Sequence, residues 1–325
     1  MAGIDGRLIV IGENLNATRK IKATSPRVVR RDGRVGIGYR GEDGAERLLD
    51  CTDVMPEDPK ALETFMVPHI AQALRNHDVD YIAWAVRGQE NAGAQIIDLC
   101  VDEMSAYDEE RADWMRWLVR TVQSLTDRPL AIDSSDSNTI RAGLDAYDRS
   151  RSRPAINSFN LEEGREPLAG LAADCGAIVF ANASGREEMP VDAEGRVANL
   201  VKCMEILDAK GIAVEDRYLD PLVFPIGADA TYGVHYLEAV RQLRALYPEV
   251  HIFGGHSNVS FGLPRRPLLN QTFTLLAIAA GCDAVMIDPI MNSPRPFEEF
   301  RFAAEALLAR DEFSMRYLQY CRQAA

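Results

Sequence analysis

The sequence predicts an α/β fold, a (β/α)8 TIM barrel with a long insertion after the first strand, and three observations carry that expectation. Eight short β-rich runs alternate with amphipathic helical stretches from Leu8 nearly to the end of the 325-residue chain. Nothing between them reads as a linker, so residues 1–325 are expected to form a single domain. With 47% hydrophobic residues there is ample material for a core.

The first strand is expected at 8–11, an apolar and largely β-branched run. An insertion at about 20–58 follows, in which Asp32-Gly33 between β-branched flanks signals a hairpin. A segment this long without a helix is functional or disordered. Leaving the first strand, it should project from the catalytic rim as a lid or a docking ribbon. Leu62, Phe65, Met66, Ile70 and Leu74 then predict the first helix by their spacing of three and four.

The remaining strands are expected at 95–99, 130–132, 155–157, 177–180, 218–219, 250–253 and 284–287. Between them Val197, Leu200, Val201, Met204 and Leu207 mark one helical face, and 268–280 is another helix. A closing helix over 294–318 places Phe297, Phe300, Ala304, Leu307 and Leu308 on one side. That side packs on the barrel or makes a dimer contact, and packing is favoured because amphipathic helices mostly bury one face on their own domain.

Bulk properties exclude several classes. A formal net charge of -13 argues against nucleic-acid binding, which rests on Lys and Arg against phosphates. The longest apolar runs, such as 275–280, fall far short of the roughly 20 residues that span a bilayer. Met1-Ala2-Gly3-Ile4-Asp5 has neither a basic start nor an apolar signal core, so a cytoplasmic location is expected. The six cysteines are scattered without a Cys-x-x-Cys pair, read as small core residues, and no metal site is expected. Arg265 and Arg266 form a local basic pair suited to an anionic portion of a small ligand.

Polar residues recur at expected strand ends: Glu13, Asn14 and Asn16 after the first strand, Asp133 after the third, Asn157 and Asn160 after the fourth, Asp220 after the sixth, and Ser257 and Asn258 after the seventh. In a barrel such ends converge on one rim. Carboxylates there can accept paired N–H groups from the edge of a flat heterocycle, while carboxamides match its carbonyl and ring nitrogens. Taken singly, each residue is equally a cap or turn former. Asp133-Ser134-Ser135-Asp136 contains a plausible cap, whereas Asp220 precedes Pro221 and no helix follows.

Five motifs stand in order: Gly12-Glu13-Asn14-Leu15-Asn16; Ile132-Asp133-Ser134 with Ile140-Arg141-Ala142-Gly143-Leu144; Ala155-Ile156-Asn157-Ser158 with Glu162-Glu163; Tyr218-Leu219-Asp220-Pro221-Leu222; and Ser257-Asn258-Val259-Ser260-Phe261-Gly262 running on to Phe273. Together they resemble the pterin-binding methyltransferases, specifically the methyltetrahydrofolate:corrinoid protein methyltransferases. The resemblance implies that Asp133, Asn157 and Asp220 hold the pterin edge and that Asn258 is the catalytic contact to the methyl-bearing N5. Glu13, Asn16, Ser260 and Arg266 are implied as further pterin contacts, and Asn270 falls on a family asparagine. His256 is a candidate proton relay, set against a packing role.

The implied substrate is tetrahydrofolate or 5-methyltetrahydrofolate, and the implied cofactor is a cobalamin carried by a corrinoid-binding partner protein. No Asp-x-His-x-x-Gly corrinoid motif surrounds His251 or His256. A homodimer is expected. Cys100 and Phe261 depart from the family pattern, as does the insertion. Dihydropteroate synthase shares the architecture but needs a lysine where Val259 stands; a folate-binding or corrinoid-docking component without turnover is the other alternative.

Overall fold

The structure, a computed structural model, describes residues 7–186 and 188–324. The expectation drawn from Met1-Ala2-Gly3-Ile4-Asp5 lies outside the described residues. Among the described residues thirteen strands run in chain order: β1 (Ile9–Asn16), β2 (Ile21–Lys22), β3 (Val28–Arg31), β4 (Arg34–Arg40), β5 (Glu46–Asp50), β6 (Met66–Val67), β7 (Ile96–Cys100), β8 (Leu130–Asp133), β9 (Ala155–Phe159), β10 (Ile178–Asn182), β11 (Arg217–Asp220), β12 (His251–Ile252) and β13 (Ala284–Ile287). Eight of them form one sheet in the order β12-β11-β10-β9-β8-β7-β1-β13, with helices between successive members, the expected (β/α)8 topology. All eight expected strands are present within one or two residues at most ends; β1 alone runs on, to Asn16. No helix among the described residues is long and apolar enough to cross a membrane.

By its internal contacts the chain gathers into two compact units. The larger comprises Met1–Gly12, Ala92–Gln95 and Ala155–Ala325, and the other Glu13–Asn91 and Ile96–Pro154. In the larger unit β9, β10, β11 and β12 pair in parallel, as do β13 and the first half of β1. The two-residue β12 is tied to β13 by one main-chain bond, Asp283 N–H to the Ile252 carbonyl at 3.1 Å. The Asp283 carboxylate strengthens that seam, accepting from the Ile252 N–H at 2.8 Å, Arg244 at 3.0 Å and His251 Nδ1 at 2.8 Å. Burial opposes its charge, but the His251 hydrogen bond and the Arg244 and Arg301 cations hold its pKa below the usual carboxylate value.

The final helical stretch differs from expectation. It is two helices, Arg295–Leu307 and Met315–Ala324, because the chain turns through left-handed Ala309, Phe313 and Ser314. Asp311 ends the continuity by accepting the Arg316 and Tyr317 N–H groups, the opening donors of the second helix. Phe297 packs with Leu8, Val10, Ile278 and Val285, so the first turns cover their own unit. Leu307 and Leu308 instead face outward.

In the smaller unit, β7 and β8 pair in parallel with every residue of β7 buried. The insertion is ordered. β3, β4 and β5 form an antiparallel sheet, and Arg31 faces Arg34 across a two-residue turn in which Asp32 and Gly33 both have positive φ, the requirement that favours Asp-Gly. Ile37 and Leu49 are fully buried, and Tyr39 stacks edge-on against Tyr81 at 5.1 Å. The helix expected over Leu62 to Leu74 is broken into Pro59–Thr64 and His69–Arg75, with β6 between them pairing to β2. Pro68 explains the break, since it lacks an N–H and pushes Val67 toward extended backbone.

Candidate active site

In the larger unit, polar side chains gather where β9 to β12 end. Register sets Asn182 of β10 beside Asp220 of β11. Asn182 donates to Ser158 Oγ at 2.6 Å and accepts from the Ser184 N–H at 3.0 Å. Asn157 lies on β9 opposite Phe180, half-buried, while Asn160 is buried and accepts the Glu162 N–H, a turn-forming role. Asp220 also shapes its loop, accepting the Leu222 N–H at 2.8 Å. Loss of solvent around this carboxyl pushes its pKa up to about 7, against the opposing pull of the Leu222 N–H and the Arg196 charge.

Arg196 was not foreseen, because an arginine early in a helix reads as surface. It is fully buried, donates to the Tyr232 carbonyl at 3.3 Å and lies over the Phe224 ring at 5.0 Å. Its Nε and Nη2 have no hydrogen-bond partner among the described residues. Asn182 was missed too, although a polar residue ending the fifth strand was as visible as those ending its neighbours.

Beyond β12 the chain passes close to Asp220. A Cβ on Gly254 would come within 3.3 Å of Asp220 Oδ1 and 2.6 Å of Tyr236 Oη, so only glycine permits this approach. The Tyr236 hydroxyl donates to the Phe253 carbonyl at 3.0 Å and meets His256 Nε2 at 3.0 Å. With that hydroxyl proton already committed, Nε2 carries the imidazole proton, and Nδ1 is left without a partner among the described residues. Burial pushes the His256 pKa down to about 4, so the ring is neutral at physiological pH.

His256–Ser260 is a single 3-10 turn. Arg266 braces it, donating to Ser260 Oγ at 3.0 Å and to the Ser257 carbonyl at 2.9 Å, with its guanidinium over Phe261 at 4.5 Å. Ser260 in turn donates to Asn270 Oδ1 at 2.6 Å. Ser260, Arg266 and Asn270 therefore commit hydrogen bonds to the turn itself. Asn258 does not: its carboxamide is half-buried, and no hydrogen bond of that side chain is found among the described residues. The turn presents one uncommitted amide on a fixed mount.

The smaller unit has its own polar group. Register pairs Asp133 with Cys100. Asp102 accepts from Ser134 Oγ at 2.5 Å and from the Ser135 N–H and hydroxyl at 2.8 and 2.7 Å. The cap foreseen in this run is Asp136, which accepts the Asn138 and Thr139 N–H groups, leaving Asp133 to end its strand. Burial, and then the charges of Asp133 and Asp102, raise the Cys100 thiol well above its ordinary pKa, so it is a neutral apolar contact. Glu13 pairs with Arg19 at 3.2 Å, and Asn16 accepts from the Thr18 N–H and hydroxyl. Asn14 is buried with its Oδ1 unpartnered among the described residues.

A parallel β/α sheet with carboxylates and carboxamides at the C-terminal ends of its strands is the working face of a (β/α)8 enzyme. The profile of the family described as "Pterin binding enzyme" matches residues 69–288, and the chain belongs to that family. A methylcorrinoid:tetrahydrofolate methyltransferase of Eubacterium limosum is 26% identical over 260 residues, covering 79% of this chain and 93% of that protein. Methionine synthase of Mycobacterium tuberculosis is 29% identical over 215 residues, which are 62% of this chain and only 17% of that larger protein. Among solved structures, a dihydropteroate synthetase with bound product aligns with TM-score 0.58 at 16% identity over 94% of this chain and 96% of its own, and a Xanthomonas albilineans dihydropteroate synthase aligns with TM-score 0.58 at 15% identity, covering 91% and 92%. At these identities the structural likeness speaks to the fold.

Proposed function

We propose that the chain moves a methyl group between N5 of tetrahydrofolate and the cobalt of a corrinoid carried by a partner protein. The observation that carries this reading is the Asn258 carboxamide, for which no hydrogen bond is found among the described residues, held by a turn that Arg266 and Asn270 brace through Ser260, in the same unit as the desolvated Asp220. The name of the Eubacterium limosum relative supports it.

On this reading Asp220, once ionised, accepts paired N–H groups of the pterin edge, and Asn157 supplies an amide contact. Asp133, from the end of β8, is assigned to the same ring by the resemblance. Glu13 and Asn16 are assigned to the pterin by the resemblance, and the Asn16 amide N–H groups take no part in its bonds to Thr18. Asn258 orients the N5 region. A tertiary amine leaves poorly, so N5 must gain a proton or strong hydrogen bond as its methyl departs; an amide cannot supply the proton outright, and water delivers it. The cobalt supplies the nucleophile in one direction and the methyl donor in the other, and the enzyme lowers both barriers equally.

The histidines fit a corrinoid that travels on a partner. His251 is buried against Asp283 and His256 against Tyr236, so neither offers cobalt an exposed ligand. Dihydropteroate synthesis is disfavoured by Val259, which is 2% exposed and occupies the position where the synthase motif presents lysine.

The test is anaerobic mixing of the protein with 5-methyltetrahydrofolate and cob(I)alamin, following methylcobalamin absorbance. Catalysed formation is expected. No catalysis together with no calorimetric folate binding would refute the proposal, and production of dihydropteroate from its diphosphate precursor would replace it with the synthase reading.

A further inference from the structure

Arg196 is fully buried, and its hydrogen bonds do not close. Only Nη1 finds an acceptor, the Tyr232 carbonyl at 3.3 Å; Nε and Nη2 have none among the described residues. Elsewhere in the same unit the fold does satisfy a buried guanidinium. Arg217 donates to the Ile212 carbonyl and to Asp208 at 2.5 Å, and Arg301 donates to the Arg7 and Asp283 carbonyls at 2.6 and 3.2 Å. Stranded donors on a buried cation cost free energy, so the shortfall at Arg196 calls for a reason.

Its surroundings supply one. Arg196 stands near the start of the helix Ala193–Ala209, and its guanidinium lies over Phe224 at 5.0 Å, in the loop that leaves Asp220. The carbonyl it holds belongs to Tyr232, one helical turn before Tyr236. The Tyr236 hydroxyl and Asp220 Oδ1 both border the Cβ position of Gly254, at 2.6 and 3.3 Å. Cation and carboxyl thus flank the same stretch of helix, yet no ion pair joins them among the described residues. Burial works against the Arg196 charge, and Asp220 is the first of the groups that favour it. The other groups around the carboxyl bring no charge. Asn182 lies beside it on β10, and Tyr236 faces it with its hydroxyl held far above the ordinary pKa by burial. Cys282 meets Tyr236 at 3.5 Å, burial pushing its thiol up to about 12, and His256 is neutral.

We propose that Arg196 is a positioning residue for the pterin that acts through Asp220, as the buried counter-charge against which the carboxylate ionises when a ring edge brings its paired N–H groups. The proposal rests on the assignment of Asp220 to the pterin edge in the methyl-transfer reading. A protonated carboxyl turns one oxygen into a donor and cannot accept both N–H groups, so the bound form is the carboxylate. With the free carboxyl titrating at about 7, ligand binding at and below neutral pH expels a proton. The ionised Asp220 then gives Arg196 its missing electrostatic partner in a poorly solvated interior, where that attraction is stronger than in water. Affinity rises with pH until the free carboxyl has ionised, and removing the neighbouring cation moves that rise to higher pH.

Calorimetric titration of the full chain with 5-methyltetrahydrofolate, in buffers of different ionisation enthalpy, measures affinity and proton release together. The wild type should release a proton below about 7 and bind most tightly above it. Arg196→Met should weaken binding about tenfold at about pH 6 yet come within about threefold of wild type at about pH 9, the mark of a limb moved by about one pH unit. Arg196→Lys, which keeps the charge, should stay within about threefold at both. Without ligand, the Asp220 carboxyl, followed by NMR in protein with isotope-labelled aspartate and assigned by its loss in Asp220→Asn, should titrate about one pH unit higher in Arg196→Met. A methionine variant that loses affinity equally at both pH values would overturn the inference, as would an unmoved Asp220 titration. So would a wild type that binds without releasing a proton, a measurement that needs no variant to fold. A wild type that binds no folate at any pH would instead strike the reading of Asp220 as a pterin contact, while the ligand-free titration still decides whether Arg196 governs its charge.

Discussion

Replacing Asp220 by asparagine should make the protein more stable at alkaline pH while weakening its hold on a pterin. The carboxyl is raised from 3.8 to about 7 by desolvation. Below pH 3.8 the folded and unfolded chains both hold the proton, and the group costs nothing. Between 3.8 and about 7 the unfolded chain releases a proton that the folded chain keeps, so stability falls as pH rises; above about 7 the full cost of a desolvated charge is present. At about 1.4 kcal/mol per pK unit the upper bound is about 4 kcal/mol. Asparagine keeps the carbonyl that accepts the Leu222 N–H and carries no charge. Urea unfolding by circular dichroism should thus find the two proteins close at about pH 4.5 and the Asp220→Asn variant more stable by up to about 4 kcal/mol at about pH 8. Calorimetry at about pH 8 should show folate affinity lowered at least about tenfold, since a charged acceptor has been lost. A stability gap that is the same at both pH values would refute the reasoning, because Asp220 would then carry no proton that folding retains.

Three further outcomes are expected. Asn258→Ala should cut the methyl-transfer rate by roughly a hundredfold while changing pterin Kd by less than about fivefold, and parallel losses in both would mark Asn258 as a binding residue only. His256→Ala should leave the shape of the rate profile between about pH 5.5 and 8 unchanged, since the ring stays neutral there, yet lower stability by about 2 kcal/mol or more through the cavity and the stranded Tyr236 contact; a lost ionisation limb in the variant would restore the relay. Gly254→Ala should cost about 1 to 3 kcal/mol, as its Cβ would force Tyr236 or Asp220 aside, and thermal unfolding at wild-type temperature would contradict the close approach.

The barrel was legible because its signals are local: each strand is a short apolar run, and the structure keeps all eight. What failed was continuity. The stripe from Leu62 to Leu74 ignored Pro68, whose effect is on backbone rather than on periodicity. The stripe ending in Leu307 and Leu308 outran its packing surface: Phe297, Phe300 and Ala304 turn inward, while the two leucines do not. At the site, position was readable and partnership was not. The resemblance implies Ser260 and Arg266 as pterin contacts, but the bonds they make within the turn could not be read from the sequence, and Asn258 stands out only once those bonds are seen. Arg196 could not be found at all, because nothing local marks a helix arginine as buried. The insertion cannot simply be deleted to test its role, since it carries the buried Ile37 and Leu49 as well as the exposed tip.

The two-residue β12 leaves the run of strands thinnest directly before the turn that bears Asn258. A joint held by one main-chain bond and a carboxylate resists opening less than a full ladder, and the turn bearing the amide follows it directly. On the proposed reading, alignment of the Asn258 amide thus depends on Asp283, which lies in the seam rather than in the turn, and a change there should blunt methyl transfer before it unfolds anything.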